Sequence, residues 1–89
     1  MKYKKKKCIE QKLGDSVILY SIDNEKFIEL NETSSLIWTN IEEKSIDEII
    51  DIILEQYDVE KEIVHRDVEK IVKEFLEKEI IGIVNERDV

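Results

Sequence analysis

The sequence predicts an α+β domain of the winged-helix kind: a three-stranded antiparallel sheet followed by three helices. Three observations carry that expectation. The first third is rich in β-branched and aromatic residues and is punctuated by turn signals at Gly14-Asp15 and Asp23-Asn24. The rest holds apolar residues at helical spacing, with capping signals ahead of the runs. At 89 residues, the chain has room for one small domain with one core.

Residues 3–12 read as a weak first strand, in which Tyr3 and Cys8-Ile9 flank lysines. Ser16–Ile22 is a clearer strand. Asp23-Asn24 is a short hairpin turn, because Asn and Asp tolerate left-handed backbone. Glu25–Leu30 is the returning strand. Alternation puts Lys26, Ile28 and Leu30 on one face and Phe27 and Glu29 on the other. Ile28 and Leu30 then face the core, which leaves Phe27 as a large apolar group on the outer face.

Asn31 is an N-cap for a short helix carrying Leu36, Ile37, Trp38 and Ile41. A Trp among aliphatic residues is expected in the core. Ser45-Ile46-Asp47-Glu48 is a capping box, Ser at the N-cap with Glu three residues on. It opens a second helix over Ile46–Gln56, with Ile46, Ile49, Ile50, Ile53 and Leu54 as the buried stripe. Tyr57-Asp58-Val59 connects to a third helix over Glu60–Lys78. There Val64, Val68, Ile71 and Phe75 form the core stripe, with Val72 and Leu76 to one side and His65 and Glu69 flanking them. Ile80–Val84 ends as a short extended segment. Residues 1–13 are expected as a Lys-rich N-terminal segment and possible first strand, 14–84 as the domain, and 85–89 as a tail. The second and third helices make the helix-turn-helix pair.

Charge narrows the function classes. There are 14 Lys+Arg against 22 Asp+Glu, a net of −8. Residues 1–12 hold six lysines against Glu10, a net of +5, so the remaining 77 residues carry −13. A body so acidic repels phosphate backbones, and the second helix has no basic residue at all, so nucleic acid is not the expected partner. The basic start is followed by Cys8-Ile9-Glu10-Gln11-Lys12 and not by an apolar run, so it does not read as an export signal. No apolar run approaches a membrane span. A cytoplasmic location is expected, with Cys8, the single cysteine, as a free thiol.

Catalytic signals are lacking. His65 is the single histidine, and no nucleophile or second metal ligand accompanies it at useful spacing. Gly14 and Gly82 are isolated and make no phosphate loop. No enzyme activity, metal or cofactor is expected. The Lys2–Lys7 run fits a solvated terminus or a lysine-guarded edge strand. What remains is the sheet edge. If the Glu25–Leu30 strand is unpaired on one side, its N–H and C=O groups can accept another strand. Phe27, together with Val72 and Leu76 on the third helix, would then receive apolar side chains, and Lys26, His65, Glu69 and Lys73 would form a polar rim.

Phe27-Ile28-Glu29-Leu30-Asn31-Glu32-Thr33-Ser34-Ser35-Leu36-Ile37-Trp38 resembles the aromatic-aromatic-x-Leu-Asn-x-Thr-x-x-x-x-Trp signature of PqqD-like proteins. Gln56-Tyr57-Asp58-Val59, Arg66-Asp67-Val68 and Phe75-Leu76 look like later segments of that family, in the right order. The resemblance spans about residues 14–84. It implies a RiPP recognition element, a winged-helix domain that binds the leader segment of a ribosomally made precursor peptide. Such proteins present the leader to a modifying enzyme, such as a radical SAM enzyme or a leader peptidase. The family adds the leader as a strand beside the third strand, over a groove walled by the third helix. Carried onto this chain, the implied peptide-binding residues are Glu25, Lys26, Phe27, Ile28, Glu29 and Leu30 with His65, Glu69, Val72, Lys73 and Leu76. Two departures stand out. Glu79 follows the third helix where the family often has Gly, and Ser34 or Ser35 stands where it often has Gly or Ala. Against this reading stand a winged-helix transcription regulator and a general protein–protein adaptor.

Overall fold

The computed structural model describes residues 2–84. In chain order the elements are β1 (Lys2–Lys5), β2 (Cys8–Leu13), β3 (Ser16–Ser21), β4 (Lys26–Leu30), α1 (Glu32–Asn40), α2 (Ile46–Gln56), α3 (Lys61–Glu77) and β5 (Ile81–Val84). The expected three-stranded antiparallel sheet is present, in the order β2-β3-β4, and three helices follow it.

The weak first strand proves to be two strands. Cys8–Leu13 pairs with Ser16–Ser21 along its whole length, from Cys8 opposite Ser21 to Leu13 opposite Ser16. A domain start at residue 14 therefore falls inside a hairpin, and residues 8–13 belong to the same sheet. Lys2–Lys5 instead pairs antiparallel with Ile81–Val84 and forms a separate two-stranded ribbon. The lysine run is thus an ordered strand whose partner arrives from the far end of the fold. Two strands joined only through tertiary folding leave no local turn signal, so this pairing has no signature in the sequence. The tail at 85–89 lies outside the described residues.

The β3–β4 hairpin sets the register that matters for function. Tyr20 lies opposite Phe27, Leu19 opposite Ile28 and Ile18 opposite Glu29. Ser21 pairs with Lys26, so residues 22–25 form the loop and Glu25 is a turn residue, not part of the strand. The left-handed position in that loop is Glu25, at φ 53°, and not Asp23 or Asn24. Asn24 serves differently: its side-chain amide donates to Ser21 Oγ at 3.2 Å and to the Lys78 carbonyl at 3.5 Å, tying the loop to the end of α3.

The helices begin where the capping signals put them. Asn31 Oδ1 accepts from the Ser34 N–H at 2.9 Å. Ser45 and Glu48 exchange both bonds of a capping box, each at 3.1 Å. At the other end, α3 closes with a reciprocal pair of bonds, Ile80 N–H to the Phe75 carbonyl and Glu79 N–H to the Leu76 carbonyl. That is a Schellman closure, and it needs a left-handed residue at the position after the cap. Glu79 supplies it at φ 59°, where glycine would be unstrained. The helix therefore ends as a glycine-terminated helix would, at a cost in backbone strain.

One core joins the layers. Val17, Leu19, Ile28 and Leu30 from the sheet pack with Ile37, Trp38 and Ile41 of the α1 region. Ile49, Ile50 and Ile53 of α2, Val64, Val68, Val72 and Phe75 of α3, and Ile80 and Ile81 complete it. Trp38 is buried as expected and meets Phe75 edge-on, with ring centroids 6.0 Å apart. Ile46 and Leu54 are half-buried at the borders of the α2 stripe. In α3 the roles of two neighbours are exchanged: Val72 is buried in the core, while Ile71 is half-buried at its edge.

Candidate functional site

The site begins with an unpaired edge. β4 is the outer strand of its sheet and hydrogen-bonds only to β3 within that sheet. Every second residue of such a strand aims its N–H and C=O away from the sheet, where another strand can take them. The side chains alternate as the period-two pattern requires. Ile28 and Leu30 are buried, and Phe27 is 76% exposed on the outer face.

Beside that edge runs a trough whose far wall is α3. One hollow, of about 380 Å³, lies between Asn24 and residues 26–29 on one side and Glu77, Lys78 and Glu79 on the other. A second, of about 320 Å³, shares Glu29 and Lys78 with the first and adds Leu30, Ile71, Glu74 and Phe75. A third, of about 310 Å³, continues past Asn31, Ile71 and Glu74 to Thr33, Asp67 and Lys70. Because neighbouring hollows share residues, they form one path along β4 to the start of α1. Its apolar floor comes from Ile28, Ile71 and Phe75, and its rim is charged. The Asn24 link to Lys78 closes the end near the hairpin loop.

This geometry parts the α3 half of the expected site from β4. His65, Glu69, Val72, Lys73 and Leu76 do come together, but on the other flank of the helix. They line a separate hollow of about 380 Å³ with Tyr3 of β1 and with Ile46 and Asp47 of α2. The reason is rotation. At about 100° per residue, Leu76 lies about 140° round the helix from Ile71. The row that faces β4 is Ile71, Glu74 and Lys78; Val72 and Leu76 face the ribbon and α2. The apolar arc of α3 has two borders, and nothing in its sequence says which border meets β4. The β1–β5 ribbon takes the Val72/Leu76 side, and no local sequence pattern announces that ribbon. Ile71, Glu74, Phe75, Lys78 and Asn24 were therefore missed as groove residues. The signal that could have found them is the Ile71-Glu74-Lys78 spacing, one residue each turn along a single flank.

On the opposite flank, His65 Nε2 lies 3.6 Å from Glu69 Oε1, with the two side chains 48% and 64% exposed. A pair so open to water adds little. Among the described residues no cluster of His, Cys, Asp or Glu is arranged to hold a metal. Burial, reinforced by Glu10 and Asp23, pushes the Cys8 thiol above its ordinary value, so it is a poor nucleophile at neutral pH. Tyr57 donates to Glu32 Oε1 at 2.5 Å, and that bond raises its phenol above the usual value. Tyr57 thus joins the end of α2 to the start of α1, a structural task. No described helix is long and apolar enough to cross a membrane.

Residues 16–81 match the family described as "Coenzyme PQQ synthesis protein D (PqqD)". The chain belongs to that family. The matched PqqD segment starts at β3 and ends at the first residue of β5, so it contains β4, α3 and the trough between them. Among solved structures, the chain is similar to one described as "TbiB1 in Complex with the TbiA(beta) Leader Peptide". The TM-score is 0.81 at 28% identity, over 96% of this PqqD-family chain and 100% of that one. No curated protein matches the chain.

Proposed function

We propose that this chain binds the leader segment of a ribosomally synthesised precursor peptide and presents it to a modifying enzyme. The observation that carries the reading is the unpaired β4 edge beside an apolar-floored trough. It occurs in a fold shared with a protein solved in complex with a leader peptide. The leader joins antiparallel along Lys26–Leu30. Roughly four to six backbone hydrogen bonds at about 1 kcal/mol net each supply about 4–6 kcal/mol. A micromolar complex needs about 8 kcal/mol, and a disordered leader also loses entropy on ordering. Apolar anchors must provide the difference, at about 1.5–3 kcal/mol for each fully buried side chain. Ile28 in the first hollow and Ile71 with Phe75 in the second offer such seats in the trough, and Phe27 offers a surface on the outer face.

The chain acts by binding and positioning, without chemistry of its own, in the cytoplasm. Its enzyme partner is a radical SAM protein or a leader peptidase. A transcription-regulator role is disfavoured because α2 has no Lys or Arg, and the basic residues of α3 are interspersed with Glu62, Asp67, Glu69, Glu74 and Glu77. The test is an amide chemical-shift titration with synthetic peptides covering the N-terminal segments of short reading frames beside the gene. A binding peptide should move the amides of residues 26–30 and those near Ile71, Glu74 and Lys78. Shifts confined to the His65/Leu76 flank would overturn the site.

A further inference from the structure

The outer face of the sheet is built of two cross-strand rows that stop short at β4. In the first, Ile9 lies opposite Tyr20 and Tyr20 opposite Phe27. The Tyr20 and Phe27 rings are in contact, with centroids 4.8 Å apart and planes inclined at 45°. No helix covers this face: Ile9 is 58% exposed and Phe27 76%. In the second row, Gln11 lies opposite Ile18 and Ile18 opposite Glu29. Glu29 is exposed and, among the described residues, has no ion-pair partner.

A strand added to β4 extends both rows by one residue. Directly opposed side chains on one face sit about 4.5–5.5 Å apart at Cβ and interact as a pair. The residue opposite Phe27 meets an aromatic ring open on that side, so an aromatic or β-branched side chain is favoured there. The residue opposite Glu29 meets a carboxylate, so Lys or Arg is favoured. Between them, the residue opposite Ile28 turns inward to the hollow that Ile28 lines with the end of α3. In an antiparallel strand the residue opposite Glu29 precedes the one opposite Phe27 by two positions.

We infer that the peptide recognised by this chain carries a basic–aliphatic–aromatic triplet, read by Glu29, by the hollow at Ile28 and by Phe27 in turn. The inference rests on antiparallel strand addition to β4 and adds to it the register and the side-chain class at three positions. Phe27 and Glu29 are specificity-determining residues whose side chains lie on the outer face of the sheet, at the margin of the trough that supplies the inward seat.

The test uses a displayed library of random linear 16-residue peptides, selected in parallel against the full chain and its Phe27→Ala and Glu29→Lys variants. Both substitutions are at exposed positions and leave the core intact. The wild-type pool should enrich Lys or Arg two residues before an aromatic or β-branched residue. The Glu29→Lys pool should exchange the basic residue for Asp or Glu and keep the aromatic. The Phe27→Ala pool should lose the aromatic preference. A selected peptide, resynthesised, should bind the Glu29→Lys protein about threefold more weakly than wild type, and its Lys-to-Glu version should recover. Peptides that shift the amides of residues 26–30 but show no triplet, or the same triplet on all three proteins, would overturn this inference and leave strand addition standing. Peptides that bind without shifting those amides, or a library that yields no binder, would overturn strand addition and the inference with it.

Discussion

The buried indole of Trp38 donates its N–H to Glu10 Oε1 at 2.5 Å, joining α1 to β2. Trp38 is only 2% exposed, so this N–H has little access to water. Lys5 reinforces the arrangement: its ammonium lies 4.7 Å from the Trp38 ring centroid and 3.8 Å from the same Glu10 oxygen. The lysine strand is thereby fastened to the domain through Trp38 and Glu10, and the Lys5 N–H adds a bond to Glu42 Oε2 at 2.9 Å.

Replacing Glu10 separates the parts of that arrangement. Glu10→Ala leaves a buried donor without its acceptor and should cost about 1–3 kcal/mol. Glu10→Gln keeps an acceptor oxygen and should cost less. Urea denaturation followed by Trp38 fluorescence measures both. Equal losses for the two variants would show that the charge, through Lys5, matters more than the hydrogen bond.

The two flanks of α3 make opposite predictions for leader binding. Ile71→Ala and Phe27→Ala should each weaken it, by about fivefold for a loss near 1 kcal/mol. His65→Ala, Lys73→Ala and Leu76→Ala lie on the other flank and should leave affinity within about twofold. Calorimetric titration of the folded variants decides. A loss confined to the second group would move the site to the hollow beside Tyr3.

Much of this molecule could be read from its sequence. Asn31 and the Ser45/Glu48 box located two helix starts, because capping is local chemistry between residues three apart. Phe27 was placed on the outer face because alternation in a strand is also local. Two features were not readable. The β1–β5 ribbon joins residues about 80 positions apart in the chain, and no local pattern encodes such a pairing. The face that α3 turns to β4 depends on that ribbon. Val72 and Leu76 therefore line the flank of α3 away from β4, whereas Ile71, expected in the core stripe, borders the trough.

Glu79 marks a position where stability can be gained. It holds φ 59° to complete the Schellman closure after α3. Glycine adopts this conformation without the Cβ penalty. Glu79→Gly should therefore stabilise the domain by up to about 1 kcal/mol, the relief of strain being partly offset by the greater freedom of glycine in the unfolded chain. For a domain of this size the midpoint of thermal unfolding should rise by several degrees, about 4–8 °C per kcal/mol. Gly14, already glycine at φ 63°, gives the contrast: Gly14→Ala should lower the midpoint, although a Cβ there meets nothing within 4 Å. A Glu79→Gly protein that melts below wild type would mean that the Glu79 side chain contributes more than the backbone strain costs.

The capping box of α2 should make stability depend on acid through one identifiable carboxylate. The Glu48 carboxylate accepts the Ser45 N–H, and chiefly that bond holds its pKa below the ordinary glutamate value. A pKa lowered in the folded state means that the stabilisation is complete above the unfolded value. It is lost as pH falls through the folded one. Glu48→Gln retains an acceptor that does not titrate. The stability difference between wild type and Glu48→Gln should therefore be largest in favour of wild type near neutral pH, and it should shrink below the usual glutamate range. All other carboxylates are common to both proteins and cancel. Ser45→Ala removes the reciprocal bond and should cost about 1 kcal/mol at neutral pH, but it keeps the backbone N–H that chiefly lowers the Glu48 pKa, so it should retain most of the Glu48-dependent acid sensitivity. Urea midpoints collected from neutral to acid pH for the three proteins give the comparison, and a difference that stays constant with pH would detach Glu48 from the acid response of the domain.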